Sequence, residues 1–483
     1  MKINHLKICS LAGLFIVIAP VQLRAQQEGK TTEEISSSAL GYLGNSPKEI
    51  RQKRALEIKY LKRAQENIEL YRKGDGKLVI IDREGNPLKN INILINQTSQ
   101  DFLFGNLSEE VIDLSPEDAK KFEKWFTGLF NFTELTVKWQ PYEPEQGKPE
   151  WQKLQEKLDW CKRNHITPKG HTLGWTHRAG TPDWLLELPS DMANQLYKAR
   201  ILNLVAGFKD QIKIWDVVNE PVNTIPWDMA LKDTTIAEAM IDDGIRYDTE
   251  NVTLNQTLPW VENSFLWSAQ ADKDGDFILN EFYLIAKPDA REKFYLLMKE
   301  LKSKSIPVKG IGIQGHEPRD MWFSPVELIK TFDRLNDFEL PLHITEFIPQ
   351  SSGKPISGGW RKGNWTLEAQ AEFAEQFYTL AFGYPSMASI HWWGLSDKNI
   401  WLKGGGLLDK NYDPKPVYNR LLKLIKEDWM TKNLHLKTNS KGEISFRGFY
   451  GHYKIEIQDG SGKIHKKYLH LKKEENNLYN LKI

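Results

Sequence analysis

A chain of 483 residues with 40% hydrophobic composition can bury a large core, which excludes wholesale disorder. Its 65 basic and 64 acidic residues leave a formal net charge of +1, so charge gives no case for nucleic acid or an anionic membrane as partner. Aromatics are abundant, with 17 Trp, 16 Tyr and 21 Phe; core packing uses most such rings, and flat rings also stack on sugar faces.

In chain order, residues 1–25 read as an export signal. Lys2, His5 and Lys7 make a basic start, an apolar run extends from Ile8 to Val21, and Leu23-Arg24-Ala25 ends in a small residue. The run is short for a membrane span, and no later segment is long and apolar enough to be one. The expectation is a secreted or periplasmic protein. With Cys9 in the signal, Cys161 is the only cysteine left, which excludes an intramolecular disulfide and a cysteine metal cluster.

Residues 26–45 read as a polar linker, and residues 46–101 as a helix with a small β extension. Ser46 suits an N-cap, Pro47 the first helical position, and Glu49 completes a capping pattern. The helix is expected to reach about Arg72 and to stop at Gly74-Asp75-Gly76, followed by strands Lys77–Asp82 and Ile91–Asn96 around a turn at Glu84-Gly85-Asn86-Pro87.

Residues 102–428 alternate short apolar runs with amphipathic stretches, the texture of a parallel α/β architecture. Eight strands are expected: Phe102–Gly105, Phe132–Lys138, Ile166–Leu173, Ile212–Asn219, Phe277–Tyr283, Val308–Gly315, Leu342–Glu346 and Ser389–Leu395. Eight such units fit a (β/α)8 TIM barrel. Asp228–Ala269 is read as an elaborated loop, and Asp272–Asp276 as a turn, since its glycine spacing departs from a calcium-binding loop. Residues 429–483 read as a small C-terminal β module with strands Leu434–Lys437, Glu443–Phe449, Tyr453–Gln458 and Lys466–Leu471.

In such barrels the C-terminal strand ends form the active face. Six expected strands carry or end in chemically capable residues: Glu134 and Lys138; His171 and Trp175; Asp216, Asn219 and Glu220; Gln314 and His316; Glu346; and His391, Trp393, Asp397 and Trp401. Glu220 closes a buried strand, Trp215-Asp216-Val217-Val218-Asn219-Glu220, and Glu346 ends His343-Ile344-Thr345 across the barrel. Glycosidic hydrolysis needs two such carboxyl groups on opposite sides of the anomeric carbon.

These motifs resemble glycoside hydrolase family 10, the endo-β-1,4-xylanase family. The resemblance rests on Gly170–Trp175, Trp215–Pro221, Gly310–His316, Ile344–Glu346, Trp393–Asp397 with Trp401, and Leu407–Tyr418, in order. It implies a retaining enzyme without a metal or cofactor that cleaves β-1,4-xylosidic bonds in xylan or a related plant polysaccharide or oligosaccharide. Glu220 would be the acid/base and Glu346 the nucleophile. Asn219 would contact the sugar 2-hydroxyl. Gln314 and His316 would keep the nucleophile ionised. Lys138 and His171 would contact sugars, Trp393 and Trp401 would wall the cleft, and Glu134 and Trp175 complete the set. Four departures stand out: Glu134-Leu135 for Glu-Asn, Trp175-Thr176-His177-Arg178 for Trp-His-Ser-Gln, Asn280-Glu281-Phe282 for Asn-Asp-Tyr, and Glu346-Phe347-Ile348 for Glu-x-Asp. The last removes the Asp that would support the histidine beside the nucleophile. The departures keep open another β-glycan substrate, or a silent glycan-binding protein.

Overall fold

The computed structural model describes residues 41–44, 46–231 and 252–483. The export signal and residues 26–40 of the linker lie outside the described residues. At the linker's end, β1 (Gly41–Tyr42) pairs antiparallel with β11 (Arg361–Lys362).

Pro47–Tyr71 is a helix, with the Ser46 hydroxyl accepting from the Glu49 amide at 3.3 Å. Such a cap contributes about 1 kcal/mol. The helix ends at Tyr71 with Arg72 as its C-cap, as expected, but the glycines are not a turn that stops it. Gly74 and Gly76 lie inside β2 (Lys73–Ile81), because aromatic rings press on that strand. A Cβ on Gly74 would meet the Tyr450 ring at 2.5 Å, and one on Gly76 the Phe446 ring at 2.7 Å. These glycines make room for packing. β3 (Asn92–Gln100) is not the hairpin partner of β2 either; the two strands belong to different sheets.

The barrel closes through β4 (Leu103–Leu107), β5 (Phe132–Thr136), β6 (Thr167–Gly174), β7 (Ile214–Asn219), β8 (Asp276–Glu281), β9 (Gly310–Ile313), β10 (Leu342–Phe347) and β12 (Met387–Trp392). All eight junctions are parallel, including β12 to β4. Helices follow the strands and bury their apolar faces outside the barrel. One corrects the sequence reading. Leu254–Ala271 is a helix, not loop, capped by reciprocal Thr253 and Gln256 hydrogen bonds. Its buried Leu258, Val261 and Phe265 recur at helical spacing and outweigh the polar composition. Asp272–Asp276 turns into β8, with the Asp274 amide donating to Asp272 Oδ1 at 3.0 Å.

The strands of the two flanks form one β sandwich. β13 (Leu434–Lys437), β3, β15 (Gly451–Gln458) and β16 (Ile464–Leu471) make one sheet. β14 (Glu443–Phe449), β2 and β17 (Leu478–Lys482) make the other, with β17 parallel to β2. Their inner faces share a core that includes Leu78, Ile80, Ile93, Ile95, Phe446, Tyr453 and Ile455. Arg72 ties the sandwich to the barrel floor. Its guanidinium donates to the carbonyls of Phe382, Tyr384 and Met387 at 2.6–2.8 Å and lies over the Phe102 ring.

Candidate active site

Side chains two apart on a strand share a face, and in this barrel that spacing stacks three levels. Phe132, Ile214 and Ile278 form an apolar floor. Two residues further along β5 and β7 come Glu134 and Asp216, joined by Lys169 and His171 of β6. Above them are Glu220 and Glu346.

The middle level is a buried charge cluster. The strand register pairs Glu134 with Lys169 and His171 with Asp216. Lys169 Nζ donates to Glu134 Oε2 at 2.8 Å and lies 2.6 Å from Asp216 Oδ2; His171 Nδ1 lies 2.8 Å from Asp216 Oδ2. Relative exposures are 0% for Glu134 and Asp216 and 2% for Lys169, so every charge here must be balanced locally. Burial pushes both carboxyls upward. Lys169 and His171 override it at Asp216, which falls below its ordinary value, while Glu134 stays raised. Glu134, His171 and Asp216 could by themselves gather a metal ion, but the Lys169 ammonium already bridges the two carboxylates.

Glu346 leaves the end of β10, and its amide donates to the Gln314 carbonyl at 3.0 Å. Its Oε1 accepts from Asn280 Nδ2 at 2.9 Å, and its Oε2 lies 3.3 Å from His316 Nε2. Burial raises its pKa, yet His316, His171 and Lys138 together hold it below the ordinary carboxylate value. Asn280 is fixed in turn, its oxygen accepting from Thr345 Oγ1 at 2.7 Å.

Glu220 follows the last residue of β7 in the left-handed region, with φ of 59°. Non-glycine residues adopt this backbone where the surroundings enforce it, at a cost of order 1–3 kcal/mol. The Glu220 amide donates to the Asn280 carbonyl at 2.8 Å. Its carboxylate accepts from Gln314 Nε2 and Trp175 Nε1, each at 2.8 Å. Burial is the largest influence on this carboxyl and, with the charge of Glu346, raises it against those two donors.

The structure brings all the expected residues to this barrel end or directly beneath it, and two expected roles change, that of Gln314 and that of His171, which is buried beneath the mouth. The Gln314 side chain serves Glu220, not Glu346, because its amide points to the β7 side and also donates to Asn219 Oδ1 at 3.3 Å. Asn219 Oδ1 also accepts from Asn280 Nδ2 at 2.8 Å, which leaves Asn219 Nδ2 as a donor. Lys138 Nζ sits over the rings of Trp175 and Trp393, 5.2 and 5.7 Å from their centroids. Trp393 meets the His171 ring edge-on at 5.3 Å. Trp401 is 47% exposed and packs against His316 and under the Arg319 guanidinium. Glu134 and His171 are buried in the middle level, where they touch one another, Glu134 also meeting Lys169 and His171 also meeting Asp216.

Lys169 and Glu317 escaped the sequence reading, and Asn280 and Glu281 entered it only as a departing motif with no role. Lys169 neutralises the middle level, and Asn280 donates to Glu346. Glu281 gathers the Val222 and Phe282 amides and Asn223 Nδ2 onto one buried carboxyl, pushed up to about 8 chiefly by burial. Glu317 sets a carboxylate beside His316, on the side away from Glu346. Its carboxylate lies 3.5 Å from His316 Nδ1 and accepts from Arg319 Nε at 2.7 Å. Burial alone would lower the His316 pKa, but Glu317 and then Glu346 push it up to about 9. The signal available was an acidic residue directly after His316.

The model of glycosyl hydrolase family 10 matches residues 98–424. Endo-1,4-beta-xylanase B of Thermotoga neapolitana is 27% identical over 325 residues, spanning 64% of this chain and 85% of that protein. Endo-1,4-beta-xylanase 1 of Arabidopsis thaliana is 26% identical over 411 residues, spanning 84% of this chain but 38% of its own length. The crystal structure of native xylanase 10B from Thermotoga maritima superposes with a TM-score of 0.55 at 25% identity, covering 68% of this chain and 96% of that one. Xylanase 10B from Thermotoga petrophila RKU-1, solved in complex with xylobiose, gives the same TM-score, identity and share of this chain.

Proposed function

The chain belongs to glycosyl hydrolase family 10, and on that premise we propose that it cleaves β-1,4-xylosidic bonds in xylan or a related plant polysaccharide by double displacement. It is an endo-1,4-β-xylanase-like glycoside hydrolase. The observation that carries the reading is a pair of buried carboxyls at one mouth held by different partners, Glu346 by Asn280 and His316 and Glu220 by Trp175 and Gln314, which pull the first below and leave the second above the ordinary carboxylate value. That division suits a nucleophile and a general acid.

In the first step a Glu346 oxygen attacks the anomeric carbon while Glu220 passes its proton to the departing glycosidic oxygen. The product is a covalent glycosyl–enzyme ester, and retention places the two carboxyls about 5–5.5 Å apart. In the second step Glu220, now a carboxylate, takes a proton from water as the water oxygen attacks the same carbon and releases Glu346. Asn219 Nδ2 donates to the sugar 2-hydroxyl, a contact that strengthens as charge develops at the ring. Asn280 and His316 hold the nucleophile ionised and aimed. Trp175 and Gln314 aim Glu220. Lys138, Trp175, Trp393 and Trp401 supply sugar contacts. Glu134 and His171 act beneath them as supports, and Glu317 is a positioning residue for His316.

A second substrate reading, another β-glycan, is favoured by Leu135, which is buried in the apolar core where a sugar-binding Asn would be polar. Reducing-end release across a panel of β-glycans decides between them. Xylan should be the best substrate, and the first-formed product should be the β anomer by NMR. Turnover confined to another glycan would replace the substrate, and an α first product would overturn double displacement.

Residues 102–428 are proposed as the catalytic unit, and residues 1–25 as an export signal leading to a secreted or periplasmic product. N-terminal sequencing of mature protein from the native host should then begin at Gln26; an intact Met1 terminus would refute export by cleavage.

A further inference from the structure

Away from the mouth, where the chain passes from β3 into the barrel, three metal-ligating side chains converge. His452 and His470 are direct partners in the antiparallel β15–β16 ladder. Opposed positions place Cβ atoms about 4.5–5.5 Å apart, close enough for two imidazoles to reach one ion. Their rings stack with centroids 3.9 Å apart and an interplanar angle of 21°. His470 Nε2 lies 2.7 and 2.9 Å from the two carboxylate oxygens of Asp101. Asp101 reaches this face because the β3–β15 register sets Ser99 opposite His452 and Gln100 opposite Gly451. The Asp101 backbone is anchored as well, its amide donating to the Tyr450 carbonyl at 3.2 Å. One ligand atom from each of the three residues lies within 4.8 Å of the others.

The Asp101 contact accounts for one nitrogen of His470 and leaves His452 unused. The His452 ring is exposed and, among the described residues, has the stacking contact and no hydrogen bond. Two imidazoles and a carboxylate are a standard ligand set for zinc, with bonds of about 2.0–2.2 Å. Imidazole-rich sites favour the later divalent ions of the first transition row.

We propose that Asp101, His452 and His470 bind one such divalent cation, with Zn²⁺ as the reference ion, and that the ion clips β15 and β16 to the segment entering β4. The site would thus cross-link the sandwich to the barrel entry without touching the glycan cleft.

The test titrates the chelator-treated full chain with Zn²⁺ alone, by calorimetry and by thermal melting. The wild type should take up one Zn²⁺ at this site and melt at a higher temperature when loaded. His452→Ala and Asp101→Asn should each weaken that binding at least as much as loss of an outer-shell partner does, about 10- to 100-fold. His465→Ala, also on β16 but paired with Asp459 and outside the trio, should bind as the wild type does. His452 is exposed, so its removal should leave the circular dichroism spectrum and xylan hydrolysis unchanged. The proposal fails if the wild type shows no saturable uptake. It fails equally if His452→Ala and Asp101→Asn bind Zn²⁺ as tightly as the wild type.

Discussion

Glu220 and Glu346 are the same residue type, both buried at the same mouth, yet their surroundings pull them in opposite directions. Around Glu346 are cations and an amide donor: His316, His171, Lys138 and Asn280. Around Glu220 are two neutral donors, Trp175 and Gln314, with burial and the charge of Glu346 working against ionisation. Neutral donors aim a carboxyl without forcing it to ionise; cations do both. Under the proposed mechanism, assignment of acid and nucleophile is thus a property of the neighbours.

The largest expected effect comes from removing either partner of the comparison. Glu346→Gln should lower kcat on xylan by about 10⁴-fold or more, since no other group can form the glycosyl ester. Glu220→Ala should cost about 10²- to 10⁴-fold on xylan. It should cost far less in glycosylation by an aryl xyloside whose leaving group needs no proton, a contrast that pre-steady-state kinetics reads directly. Equal losses on both substrates would erase the difference between the two carboxyls.

Next comes the platform beneath them. Lys169→Met would leave Glu134 and Asp216 buried without their shared cation. Breaking a buried pair in this way costs about 3–5 kcal/mol, measurable by denaturant unfolding. Stability within 1 kcal/mol of wild type would show that the middle level does not depend on this ammonium.

The pH dependence sharpens the contrast further. The kcat/KM profile should be bell-shaped, with the depressed Glu346 setting the acid limb and the raised Glu220 the alkaline limb. Glu317→Gln should move the His316 titration, followed by histidine NMR, down from about 9 by on the order of one pH unit. Glu317→Asp should restore part of it. The linked stability has a fixed sign. A raised imidazole stabilises the fold fully below its unfolded value of about 6.5, and the gain is lost as pH rises through about 9. Glu317→Gln should therefore shrink the stability difference between pH 6 and pH 10. The smallest effect is expected for Trp175→Phe. It removes one neutral donor from Glu220, should shift the alkaline limb upward, and should lower kcat/KM by at most about tenfold, in line with one lost hydrogen bond.

Local pattern made the barrel legible. Each expected strand overlaps an observed one because buried parallel strands are near-continuous apolar runs. The sandwich was harder to read. β2 pairs with β14 and β17, hundreds of residues away, and nothing local to Lys73–Ile81 announces those partners. Gly74 and Gly76 looked like a helix stop because their reason, the rings of Tyr450 and Phe446, is equally distant. At the site, motif positions located the carboxyls, but one sequence motif cannot say which carboxyl an amide will serve. Gln314 illustrates this, bonded to Glu220 although its backbone carbonyl accepts from Glu346. Glu317 was missed because the sequence reading looked two residues beyond Glu346 for an acid, whereas the fold supplies one beside His316.

The most direct test of the division of labour is to trap the intermediate. In an activated 2-deoxy-2-fluoro-β-xyloside the fluorine slows both steps, and the good leaving group restores only the first, so the glycosyl ester accumulates. Peptide mass spectrometry should then find one fluoroxylosyl group, attached to Glu346, and none in Glu346→Gln. A label on Glu220 or on any other residue would contradict the account.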